Sequence, residues 1–110
     1  MTNADDYYET NIPLSTLREN ELQAVEVGEL RLLLTLVDNR PVAFTRRCPH
    51  ASGDLAEGGI RRGRVTCLVH GYKFDVCNGR TLWPEDEMFR LARYPVRVRE
   101  NMVEVKLERV

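Results

Sequence analysis

The sequence predicts an all-β fold built from antiparallel hairpins. Three observations carry that prediction. Apolar and polar residues alternate with period 2 near both ends of the chain, two-residue turn signals separate the alternating stretches, and a 3.6-residue helical period is absent. The 110 residues amount to one domain, long enough to bury a modest core without disulfide staples.

Residues 1–6 are polar and are expected to fray, and residues 7–12 read as a first strand. Pro13 to Asn20 reads as a loop with one helical turn around Leu14 to Arg18. Leu22 to Val27 alternates as a short strand. Gly28-Glu29 then turns the chain into Leu30 to Val37, and Asp38-Asn39 turns it again into a strand over Pro41 to Thr45. Connections this short imply hairpins. Near the C-terminus, Tyr94, Val96 and Val98 alternate with Pro95, Arg97 and Arg99. Glu100-Asn101 turns, and Val103, Val105 and Leu107 alternate with Glu104, Lys106 and Glu108. Such alternation predicts one buried face and one wet face.

Charge and hydropathy exclude several functions. With 16 basic and 17 acidic residues the net charge is −1, so no long-range attraction to nucleic acid or anionic lipid is expected. The most apolar run, Leu30 to Val37, is interrupted by Arg31 and falls short of the roughly 20 residues that span a membrane. The acidic N-terminus lacks the basic and apolar regions of a signal peptide. A soluble cytoplasmic protein, monomeric in solution, is the expectation.

The middle of the chain, about 47–84, differs in composition. It holds most of the glycines and all three cysteines and reads as too poor in apolar residues for a core of its own. A metal centre is therefore expected to order it. The candidate ligands are Cys48-Pro49-His50 and Cys67-Leu68-Val69-His70, two pairs that use both histidines of the chain. Gly53, Pro49 and Gly71 flank them, and small residues let backbone amides approach a bound cluster. Two thiolates and two imidazoles satisfy tetrahedral zinc. They equally satisfy a two-iron, two-sulfide centre in which two His replace two Cys on one iron. Zinc fingers pair like ligands, whereas each loop here supplies one Cys and one His. That pairing favours the cluster, with a structural zinc module as the alternative.

These residues resemble the Rieske proteins. CPHASGDL (48–55) and CLVHGYKFDVCNGR (67–80) resemble the two cluster-binding loops of that family, including the continuation through Gly71, Phe74, Asp75 and Gly79-Arg80. The stretches AVEV (24–27) and YPVRV (94–98) resemble the base domain of small Rieske ferredoxins. The resemblance implies an antiparallel, sandwich- or barrel-like Rieske fold with an inserted smaller cluster-binding β subdomain. The base would be about 7–46 and 85–108, and the subdomain about 47–84. It further implies one 2Fe–2S cluster, with Cys48 and Cys67 on the inner iron and His50 and His70 on the outer, surface-facing one.

The resemblance also selects a branch. High-potential Rieske proteins carry an extra Cys in each loop; the corresponding positions here, around Gly53 and Leu68, have none. They also place hydroxyls two and four residues after the second ligand His, where this chain has Tyr72 and Phe74. Phe74 has no hydroxyl, and Tyr72 is expected to point its own elsewhere. A potential at or below about −100 mV follows, near the lower end of the Rieske range. A catalytic oxygenase needs a second iron held by two His and a carboxylate, and both histidines are spent on the cluster. The expected role is therefore a non-catalytic one-electron carrier, with an NAD(P)H-dependent flavoprotein reductase upstream and a terminal oxygenase downstream. A small accessory subunit of a larger reductase is a further alternative.

Other residues receive structural readings. Cys77 is expected to be a buried, inert thiol. Arg46, Arg47, Arg61, Arg62 and Arg64 form a basic cluster with a hairpin tip at Arg62-Gly63, read as a solvated edge, and Glu85, Asp86 and Glu87 form an acidic counterpart. Trp83 and Pro84 are expected to pack beside the loops, and Asp54 and Asp75 to brace turns.

Overall fold

A computed structural model describes residues 6–50 and 53–108; the expected fraying of residues 1–6 falls almost wholly outside that range. Strand β1 (Tyr7–Pro13) leads through a 3-10 turn (Leu14–Thr16) to β2 (Gln23–Val27), β3 (Leu30–Val37) and β4 (Arg40–Thr45). A second 3-10 turn (Leu55–Glu57) precedes four short strands, β5 (Ile60–Arg61), β6 (Arg64–Thr66), β7 (Lys73–Asp75) and β8 (Thr81–Trp83). The chain ends in β9 (Arg93–Tyr94), β10 (Val96–Arg99) and β11 (Met102–Lys106). Every ladder is antiparallel, in sheets ordered β1-β11-β10, β2-β3-β4-β9 and β5-β6-β7-β8. Among the described residues, no helix is long and apolar enough to cross a membrane.

The turn chemistry explains the hairpins. Asp38-Asn39, Arg62-Gly63 and Glu100-Asn101 all hold positive φ at both residues, the conformation whose twist matches that of paired strands. Between β3 and β4 it locks Val37 opposite Arg40 and Leu33 opposite Phe44.

The β2-β3-β4-β9 sheet is buried on both faces. Leu33 and Phe44 pack on one side with Leu55, Ile60, Val65, Phe74 and Val76. Leu32, Leu34, Ala43 and Tyr94 pack on the other with Val103 and Val105. Burial on two faces is why Leu32, Leu33 and Leu34 form an unbroken apolar run rather than alternating. Thr35, fully buried beside them, donates its hydroxyl to the Glu21 carbonyl at 2.7 Å.

Three expectations are corrected. The central segment does have a core: Leu55, Val65, Phe74 and Val76 are fully buried. These residues pack with Leu33 and Phe44 of the middle sheet, which completes their core. The stretch Tyr94 to Arg99 is not one strand. Pro95 lacks an N–H and divides it, so that Tyr94 pairs with Ala43 while Val96 pairs with Val105. The single chain thereby bridges two sheets. Finally, the alternation near the C-terminus does not give a wet face at Glu104. Its carboxylate accepts from Arg97 Nε at 2.6 Å, and the Arg97 guanidinium lies 4.3 Å over the Tyr7 ring, leaving Glu104 only 3% exposed. On the opposite face the edge residue Val98 is 38% exposed.

Candidate metal centre

Two loops at one end of the β5-β6-β7-β8 sheet carry the four candidate ligands. The first is closed by a ladder-like set of bonds: Cys48 N–H donates to the Gly53 carbonyl at 3.0 Å and Leu55 N–H to the Arg46 carbonyl at 2.8 Å. Across its base, Arg46 makes a two-pronged ion pair with Asp54, both contacts at 2.9 Å, and Asp54 also caps the following 3-10 turn through Ala56 N–H. Arg46 therefore braces this loop and is not part of an open basic cluster. Its hydrogen bond holds the Asp54 carboxyl below the usual carboxylate range. The second loop folds back on itself. Cys67 N–H donates to the Tyr72 carbonyl at 2.7 Å and Gly71 N–H to the Cys67 carbonyl at 2.9 Å, with Gly71 at φ 73°.

Glycine is required in the first loop for space, not conformation. A Cβ on Gly53 would lie 2.7 Å from Cys67 Sγ and equally close to Val69 Cγ2. Gly53 thus lets the two loops close on each other around the cysteines.

Cys48 and Cys67 are buried at 2% and 0% exposure, and neither is in a disulfide. The histidines lie further out. His50 is half-buried and His70 exposed, their ring centroids 5.2 Å apart at 72°. His50 Nδ1 is buried with no hydrogen-bond partner, a costly state for a polar atom unless a metal takes its lone pair. A two-iron Rieske unit needs a thiolate pair inside and an imidazole pair outside, the order in which Cys48 and Cys67 lie behind His50 and His70. The donor set and its arrangement fit the cluster.

Contacts around His50 escape the sequence. The Tyr72 ring stacks on its imidazole at 3.6 Å and 10°, and Phe89 meets it edge-on at 5.5 Å. Phe89 arrives there because Leu91 N–H donates to the Gly79 carbonyl at 2.9 Å and Thr81 donates its hydroxyl to the Phe89 carbonyl, folding residues 84–89 back over the loops. The Tyr72 hydroxyl donates to Glu87 Oε1 at 3.0 Å. Burial and that bond raise the phenol above its ordinary value.

Trp83 stands beside the loops as expected, edge-on to Tyr72 at 6.4 Å, but is 52% exposed. Asp75 braces the following turn by accepting from Cys77 N–H at 2.7 Å. Cys77 itself is exposed, contrary to expectation, because it falls at the turn after Val76, where the chain leaves the core. Desolvation of its sulfur and the nearby Asp75 carboxylate push the thiol up.

The chain matches the Rieske [2Fe-2S] domain over residues 10–95. It belongs to the Rieske family. This Rieske domain is 27% identical over 96 residues to the ferredoxin component of the naphthalene 1,2-dioxygenase system of Pseudomonas putida, covering 87% of this chain and 91% of that protein. Its fold is that of the ferredoxin of carbazole 1,9a-dioxygenase from Nocardioides aromaticivorans IC177, at a TM-score of 0.82, 19% identity and coverage of 93% and 98%. A chain in a complex of reduced oxygenase and oxidized ferredoxin of carbazole 1,9a-dioxygenase superposes with a TM-score of 0.84 at 24% identity, covering 96% of each. The cofactor of this Rieske domain is a 2Fe–2S cluster.

Proposed function

We propose that this Rieske protein is a cytoplasmic, monomeric one-electron carrier, taking electrons from an NAD(P)H-dependent flavoprotein reductase and giving them to a terminal oxygenase. The observation that carries this reading is the in-to-out order of the candidate ligands: thiols at 2% and 0% exposure behind, imidazoles in front, with His70 exposed. When bound, the cluster supplies a one-electron couple. Cys48 and Cys67 would hold one iron from within the apolar core, which keeps water from the thiols. His50 and His70 would hold the other, and the exposed His70 would shorten the path to a docked partner. Tyr72 and Phe89 fix the His50 ring plane. Residues 47–84 act as the cluster-binding subdomain on a base formed by 7–46 and 85–108. The ferredoxin component matched in the naphthalene system supports the place between reductase and oxygenase.

Metal analysis tests the assignment. Anaerobically purified protein should be red-brown, with about two irons and two acid-labile sulfides per chain, and Cys67→Ser or His70→Ala should lose that iron. A colourless, zinc-loaded protein would overturn the assignment.

A further inference from the structure

The outward face of β5, β6 and β7 carries a cationic surface for which the redox chemistry gives no role. Arg61, Arg62, Arg64 and Lys73, all exposed, line one shallow concavity of about 380 Å³ together with Thr66. Arg61 and Arg64 are direct cross-strand partners, a placement in which like charges repel, and Arg64 has Asp75 opposite it on its other side, outside ion-pair distance. Arg62 sits at φ 51° in the turn between them, a conformation that Asn or Gly adopts more readily, and is held there by its N–H donating to Asn20 Oδ1 at 2.7 Å. The fold neutralises other arginines, as Arg46 with Asp54 at 2.9 Å and Arg97 with Glu104 at 2.6 Å. Among the described residues, none of these four cations has an acidic partner within ion-pair distance. Four cations without ion pairs are thus gathered on one face, where they leave a positive surface open to an acidic partner. The face is also continuous with the candidate metal centre: Lys73 pairs across the sheet with Trp83, the half-exposed ring edge-on to Tyr72.

We propose that the face formed by Arg61, Arg62, Arg64 and Lys73 docks an acidic protein segment, holding a redox partner with its electron-transfer group toward Trp83 and the exposed His70. This rests on the carrier reading. A protein occupant is favoured over a small anion because the concavity is shallow and open and its cations are spread over two strands and a turn. Local charge of this kind steers encounter although the chain as a whole is almost neutral.

The test uses the cluster-loaded protein and fluorescein-labelled dodecaglutamate, read by fluorescence anisotropy at low salt. The wild type should bind it saturably, and binding should vanish at high salt. The double variant Arg61→Gln/Arg64→Gln should weaken it at least tenfold and Lys73→Gln several-fold, while Arg40→Gln, outside the patch, should leave it unchanged. Labelled dodecathymidylate bound as tightly as dodecaglutamate, full competition by millimolar inorganic phosphate, or equal weakening by Arg40→Gln would each overturn the proposal. The visible spectrum is recorded for every variant. Lost dodecaglutamate binding with the cluster spectrum intact supports the surface as assigned. Wild-type protein that has the spectrum but ignores the peptide sinks the docking surface alone, whereas wild-type protein lacking the spectrum sinks the carrier reading.

Discussion

Tyr72 lies two residues after His70 in sequence yet stacks on His50, the histidine of the other loop. Its hydroxyl is committed to Glu87 and so offers no hydrogen bond to a cluster sulfur. Tyr72→Phe should keep the stack and lose the Glu87 bond. Its Tm should fall by a few degrees, and its midpoint potential should move by much less than the ~59 mV that marks a tenfold change for one electron. A drop of that size or more in voltammetry would show that the hydroxyl serves the cluster. Asp54 is the other residue whose partner matters, since Arg46 depresses its pKa in the folded state. A depressed carboxyl pKa contributes stability above the unfolded value, about pH 4, and that contribution is lost as pH falls through the folded value. Asp54→Asn should therefore be less stable than wild type at neutral pH, with the two melting curves converging as the pH falls below the unfolded value; a gap that persists in strong acid would assign the loss to the Ala56 cap instead.

At the scale of elements, the β5-β8 sheet and its flanking loops depend on a small apolar set. Leu55 lies at 0% exposure between the first loop and that sheet, and Leu55→Ala should cost about 2–5 kcal/mol, seen as a lower midpoint in anaerobic chemical denaturation. Because Leu55, Val65, Phe74 and Val76 pack on the middle sheet, a cluster-free Cys48→Ser protein should keep most of its β-type circular dichroism. Loss of the signal from this segment would restore the view that metal alone orders it.

At the scale of the molecule, the middle sheet is a shared floor. One face supports the β1-β11-β10 sheet and the other the loops that hold the candidate ligands. Phe74 is fully buried without a hydroxyl, and the Tyr72 hydroxyl is committed to Glu87. The cluster should accordingly have a midpoint at or below about −100 mV, toward the low end of the Rieske range. A value above zero in a redox titration would overturn that expectation.

Much of this was legible in the order of the residues. Period-2 alternation and two-residue turns are local signals, and they located the hairpins to within a residue or two. The paired Cys and His spacings are local as well, which is why the candidate ligands could be named before any fold was known. Other features depend on segments distant in sequence. Arg46 joined the basic cluster on paper because its partner Asp54 becomes a neighbour only when the first loop closes. Cys77 looked buried because its composition is that of a core residue, while exposure depends on where the chain turns. The Tyr72 and Phe89 contacts with His50 exist only because residues 84–89 return over the loops. Spacing within each loop therefore picked out the candidate donors by itself. Only the tertiary structure decided which groups surround it, because stacking, burial and charge pairing are made between strands and loops that the sequence keeps apart.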